Sequence, residues 1–218
     1  MNLPTIFENL LPGAATTLIV ATGAWAFGAV LGLVVDMVRH LAIGPLGWGF
    51  DLVTTTLRSM PQLVVIYVFY FGLGAVGIDL GSIPSAILAL GLTEAAFMAE
   101  YYRSGWLTVP EQQSEAGLSL GLSPSQVFRR VVIPQTVPFL VPPLLNSYVG
   151  LLKTATLASA VGAPEVLYLA RNLISNTGLL VPIALTVILL YVVVTLPLTY
   201  AVSLLERRAR AFRSVRAA

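Results

Sequence analysis

Residues 179–205 read LLVPIALTVILLYVVVTLPLTYAVSLL, a run without a single charge. A helix crossing ~30 Å of hydrocarbon needs ~20 mostly apolar residues, each rising ~1.5 Å. This run is long enough, and it contains nothing that water must solvate. The rest of the chain is built alike. Of its 218 residues, 57% are hydrophobic and 10% charged, and the mean hydropathy is +0.87. A soluble domain carries ~25% charged residues. With so few charges a water-facing shell cannot be built, so most of the outward surface must meet lipid.

Four more apolar stretches lie upstream. They cover about residues 14–35; 52–73, with Arg58 and Pro61 near its start; 83–106, carrying Glu94 and Glu100; and 137–157, holding Asn146 and Lys153. Pro61, Pro138, Pro142 and Pro143 are tolerable in such helices when neighbours satisfy the freed carbonyls. The first stretch is too long for a cleaved signal peptide, and the residues before it include Glu8 and no basic residue. The reading is an all-α, polytopic membrane protein with about five transmembrane helices in a single domain, 1–218. Cysteine is absent and His40 is the lone histidine. Disulfides, thiolate catalysis and Cys- or His-rich metal centres are thereby excluded, and no metal site is expected.

Basic residues accumulate in short cytoplasmic loops. With the N-terminus outside, Arg39, Arg58, Arg103, Arg129, Arg130, Arg207, Arg208, Arg210, Arg213 and Arg216 all fall on or near the inner side, ten of the twelve Lys and Arg. The opposite orientation exports those ten. An external N-terminus and a cytoplasmic C-terminus follow, with the basic tail either an anchor or a helix on the membrane surface.

One cytoplasmic segment is unlike the rest. Residues 107–135 read LTVPEQQSEAGLSLGLSPSQVFRRVVIPQ. Thr108 followed by Glu111 has the spacing of a capping box, with Pro110 in the first turn. The helix they open is expected to run to about Leu120, where Gly121 can take the left-handed conformation that ends it. Ser123, Pro124 and Gln126 repeat the opening signal for a second short helix. Pro134 marks its end, or a kink before the fourth span. Helix, glycine turn and helix at the inner face is a shape suited to docking; the alternative is a plain connection.

Glu115-Ala116-Gly117, three residues, Gly121, nine residues and then Val131-Val132-Ile133-Pro134 resembles the EAA loop of ABC-importer permeases. Gly117 stands for the second alanine, Val131 for isoleucine and Ile133 for leucine. The resemblance narrows to permeases for polar amino acids, the histidine, glutamine, arginine and opine importers. Arg58-Ser59-Met60-Pro61-Gln62-Leu63 is similar to their R-G-T-P-x-L segment. Ala95–Gly105 is similar to their A-A-Y-x-A-E-x-x-R-G-G stretch. Lys153-Thr154-Ala155-Thr156-Leu157, followed by Gly162 and Glu165-Val166, is similar to their K-D-T-S-L…G…E-L run.

This resemblance implies a type I ABC-importer permease fold and a coupling loop at about 107–135. Glu115, Ala116, Gly117, Leu118, Leu120 and Gly121 are implied to contact a separate ATP-binding-cassette ATPase. Ala116 and Gly117 are small enough for close approach, Leu118 and Leu120 can fill an apolar cleft, and Glu115 can accept a charge-assisted hydrogen bond. The chain has no G-x-x-x-x-G-K-[ST] phosphate loop, so it binds no ATP of its own. ATP and magnesium belong to the partner ATPase, and no cofactor is expected in this chain. The other implied partners are a second permease, identical or a paralogue, and an extracytoplasmic solute-binding protein. The setting is the bilayer of a bacterial inner membrane, with no nucleic acid.

Acids inside the membrane cost ~2.5–3.5 kcal/mol or more unless compensated. Glu100 and Arg103 stand one helical turn apart and read as a structural ion pair. Glu94, at the middle of its span, has two readings: a buried pair with Lys153, or a contact for the positive group of a solute whose carboxylate meets Lys153 or Asn146. Tyr67, Tyr70 and Phe71 read as packing aromatics or as the lining of a path. Trp25, Trp48 and Trp106 read as lipid-facing or interfacial. Gly28 and Gly32 have close-packing spacing. A permease for another small polar solute and a proton-coupled carrier are the alternatives.

Overall fold

Small residues decide how the first and third apolar stretches meet. In the computed structural model, which describes residues 2–41 and 45–216 without the side chains of residues 40, 41, 45, 46 and 208–216, these stretches form α1 (Leu3–Leu41) and α5 (Ser82–Trp106). A Cβ on Gly32 would stand 2.7 Å from the Ala95 carbonyl oxygen, and one on Gly28 would stand 3.0 Å from Glu94 Cβ. From the other side, Gly91 leaves room for Phe27. With no side chain in the seam the two backbones approach closely, as small residues allow between membrane helices. Val20, Ala21 and Ala24 of α1 and Ala86, Ala89 and Leu90 of α5 continue the contact into the main core.

The other elements assemble on this pair. They are α2 (Pro45–Ser59), α3 (Gln62–Tyr67), a π turn over Val68–Gly72, α4 (Leu73–Ala75), α6 (Glu111–Ser119), α7 (Pro124–Val127), a second π turn over Phe128–Val132, α8 (Ile133–Thr154), a 3-10 segment over Ala155–Val161, α9 (Val166–Thr177) and α10 (Leu180–Arg216). No strand occurs among the described residues. Leu151, Leu152, Ala155 and Ala158 close the core over α1 and α5. A second cluster joins Ile6 and Leu10 of α1 to Val166 and Ala170 of α9 and to Ile183 and Leu190 of α10. This packing explains why α1 begins well before the expected residue 14. Glu165 caps α9, its buried carboxylate accepting from Leu167 N at 2.9 Å and Tyr168 N at 2.7 Å.

Among the described residues, Leu3–Arg39, Ser82–Trp106 and Leu180–Arg207 are long and apolar enough to cross a membrane. The second candidate span is not one straight helix: Gly47–Ser59 and Gln62–Ala75 meet at a bend of 101°. Pro61 has no N–H to donate, and its ring disfavours the helical conformation at Met60; Pro61 itself is extended, at φ −60° and ψ 123°. Counting the bent pair as one gives four spans. The fourth expected stretch is helical in α8, but Pro138, Pro142, Pro143 and its polar residues dilute its apolarity. The expected fifth span extends without a break, so the basic tail continues α10 rather than forming a separate surface helix. The side chains of Arg208, Arg210, Arg213 and Arg216 lie outside the described residues.

Because the seam leaves no volume at residue 32, Gly32→Val should lower stability by about 1–3 kcal/mol through overpacking. Gly49→Ala, where an added Cβ meets nothing within 4 Å, should leave the thermal unfolding midpoint in detergent unchanged or slightly raised, since alanine is the better helix former. Equal midpoints for the two variants would contradict the close seam.

Candidate functional site

The polar loop forms two short helices with a turn between them. Gly121, at φ +80°, follows α6 in the left-handed conformation. Leu122 N and Gly121 N donate to Gly117 O and Leu118 O, satisfying carbonyls the helix end leaves free. Ser123 and Gln126 form a complete capping box at α7, with Pro124 at its first position. The expected box at α6 does not form. The last turn of α5 runs on through Leu107–Val109, so Thr108 Oγ1 turns back to donate to Gly105 O at 2.7 Å and Pro110 becomes the N-cap. Nor does Pro134 end a helix. It lies in the first turn of α8, and the widened turn over Phe128–Val132 carries the chain from α7 into α8.

Glu115, Ala116, Leu118, Leu120 and Gly121 are all exposed. Leu118 is 47% and Leu120 is 84% exposed, large apolar side chains on the most polar segment of the chain. Gly117 points the other way. It is buried, and a Cβ there would stand 3.0 Å from Val127 Cγ2. The small residue in the second alanine's place therefore lets α6 pack on α7 rather than widening the outer face.

Trp106 fixes this loop to the body. Its indole N–H donates to Asp36 Oδ2 of α1 at 2.7 Å, and its ring lies 5.5 Å from that of Phe128, centroid to centroid. Trp25 likewise turns inward, donating to the Leu144 carbonyl at 2.8 Å and meeting Tyr148 edge-on. For these two indoles the lipid-facing expectation fails, because each N–H finds an acceptor within the protein; Trp48 is 82% exposed. Asp36 lies one residue past the expected stretch 14–35 but inside the observed span Leu3–Arg39, so the rule that singled out Glu94 and Glu100 reaches it only once the longer helix is known.

Glu100 serves more than Arg103. Arg103 Nε is 3.3 Å from Glu100 Oε2, Arg39 Nη1 is 2.6 Å from Oε1, and Arg58 Nη2 is 3.9 Å away. Arg39 also pairs with Asp51. Two carboxylates and three guanidiniums thus tie α1, α2 and α5 together at one end. The local spacing exposed only the Glu100–Arg103 part.

Glu94 and Lys153 do not pair. Glu94 is 6% exposed beneath Gly28, and its Oε1 has no hydrogen-bond partner. Lys153 lies exposed on α8, with no ion pair among the described residues. Asn146, Gly150 and Lys153, spaced at four and three residues, form an exposed stripe on α8. Ser147 is the polar neighbour of the Glu94 carboxyl. Tyr67 and Phe71 meet at a tilt, ring centroids 5.6 Å apart, and stay exposed, whereas Tyr70 packs against the main core.

Residues 28–211 match the model of the family described as binding-protein-dependent transport system inner membrane component. The chain belongs to that family. A probable glutamine ABC transporter permease protein of Bacillus subtilis (strain 168) is 32% identical, over 95% of this chain and 98% of its own. An L-cystine transport system permease protein of the same organism is 28% identical, over 85% and 80%. The crystal structure of an amino acid ABC transporter with histidines superposes with a TM-score of 0.86 at 26% identity, covering 95% of this chain and 99% of that one. This chain is thus a membrane-embedded permease subunit of an ABC importer of the amino-acid type, with the type I importer permease fold. The permease is not itself an enzyme; in this family ATP is hydrolysed by a separate subunit, and the pathway involves a partner permease.

Proposed function

We propose that the permease moves a polar amino acid across the bacterial inner membrane, with its N-terminus outside and its C-terminus in the cytoplasm. The loop at 107–135 couples it to an ATPase that holds the ATP and magnesium. The observation carrying this reading is the outer face of α6, where Glu115 stands beside Leu118 and Leu120, exposed above a glycine turned inward. Desolvating two leucines in a groove is favourable by roughly 25 cal/mol per Å² of apolar area. A charge-assisted hydrogen bond to Glu115 supplies direction, worth about 1.5–3 kcal/mol once water is excluded. Closure of two ATPase subunits would push α6. The push reaches α7 through Gly117 and Val127, and α1 through Phe128, Trp106 and Asp36.

A second permease, either another copy or a paralogue, faces the Asn146–Lys153 stripe, since a charged lysine is costly against lipid. There Lys153 and Asn146 meet the carboxylate of the solute, which an extracytoplasmic binding protein delivers. Glu94 lies behind them, its free Oε1 available to a positive group once α5 and α8 part.

Glu115→Lys should leave the permease in the membrane while abolishing ATP-driven uptake in vesicles; wild-type uptake would remove the coupling role. Lys153→Gln should raise the KM for uptake at least about tenfold, the loss of one charge-assisted contact worth ~1.4 kcal/mol or more. Glu94→Gln should weaken uptake of cationic amino acids selectively. Equal loss for neutral and cationic solutes would give Glu94 a structural role instead.

A further inference from the structure

The bent second span holds two helices set nearly at right angles, Gly47–Ser59 and Gln62–Ala75. The segment from α3 through α4, Gln62–Ala75, rises from the end of the molecule that carries Arg39, Glu100 and Arg103. Helix α2 turns away from it by 101°. If Gln62–Ala75 is the part that crosses the bilayer, α2 at right angles to it runs along the membrane surface. Its inner face is fixed: Thr54 is buried, Phe50 and Leu57 are partly buried, Asp51 pairs with Arg39, and Arg58 approaches Glu100. The opposite face carries Trp48, 82% exposed, Leu52 at 69% and Val53 at 56%.

The geometry points to α2 as an interfacial helix that beds Trp48, Leu52 and Val53 in the lipid leaflet at the headgroup–acyl boundary. Three observations favour lipid over water or a protein groove. The bend sets the helix axis along the bilayer surface, level with the arginine cluster at the ends of α1 and α5. Tryptophan has the apolar body and polar tip that favour this depth. Three of the four hydroxyls of α2 also need little water, since Thr54 donates to Phe50 O, Thr56 to Leu52 O and Ser59 to Thr55 O, while exposed Thr55 is left to the water among the headgroups. Hydroxyls satisfied within their own helix carry no unpaired polar group into the boundary. The ion pairs on the other face then transmit this position to α1 and α5. The base of the bent span is anchored to the leaflet while the neighbouring coupling loop stays free to move. This inference rests on membrane placement alone and is independent of how α6 meets an ATPase.

The chain has no cysteine, so Leu52→Cys gives one nitroxide site per copy of this permease in the full transporter complex, assembled with cysteine-free partner subunits and reconstituted in phosphatidylcholine–phosphatidylglycerol vesicles. The expected result is a collision rate with oxygen several-fold above that with a water-soluble nickel chelate, at a depth of about 5–10 Å below the phosphates. A label at Val193→Cys, on the exposed apolar face of α10, should read deeper. Trp48→Cys is measured in parallel, so that failure of one variant to assemble leaves the other to decide. A nickel-dominated reading would place α2 in water and overturn the inference. A label shielded from both reagents would place it against a protein partner, with the same consequence. The Glu115→Lys uptake result does not move this readout, so the two readings fail separately.

Discussion

The close backbone contact between α1 and α5 is the constraint on which the rest of the molecule depends. Apolar side chains alone cannot align two helices in lipid, since the tails around them are equally apolar. Alignment comes from shape: Gly28 and Gly32 present a flat strip on α1, and Gly91 presents a matching gap on α5. Once the pair is set, Glu94 is sealed beneath Gly28, the main core closes under α8, and the ends of both helices that carry Arg39 and Glu100 stand side by side. Only then can Arg39 of one helix reach Glu100 of the other.

Under the proposed function, that shared end is where the ATPase's force enters. The outer face of α6 is apolar and acidic, whereas its inner face is a glycine against Val127. The loop hangs from the body at Trp106, which joins α1 and the turn at Phe128 with one side chain. A lever needs a free face, a stiff attachment and a rigid body to move. In the proposed coupling these are α6, the Asp36–Trp106–Phe128 contact and the α1–α5 pair.

Much of this was legible in the sequence because it is local. The capping at Ser123–Gln126 and the glycine turn at 121 depend on a handful of neighbouring residues, and they formed as read. The apolar stretches depend on composition and locate the helices well. Hydropathy carries no direction, however, so it joined α2 and α3 into one span and missed the right angle at Pro61. It also did not tell that Lys153 faces outward while Glu94 faces α1, because facing is decided by which neighbour packs first. Trp106 carried no spacing signal at all. Its role comes from Asp36, 70 residues away in the chain.

The most direct test is accessibility of a single cysteine at Leu120, the most exposed apolar position of the loop. In vesicles of known sidedness holding the complete transporter, Leu120→Cys should react with a membrane-impermeant maleimide from the cytoplasmic face only. It should also cross-link to the ATPase subunit, and its reactivity should fall when that subunit is present. Labelling from the external face, or full uptake with no cross-link and no protection, would contradict the account.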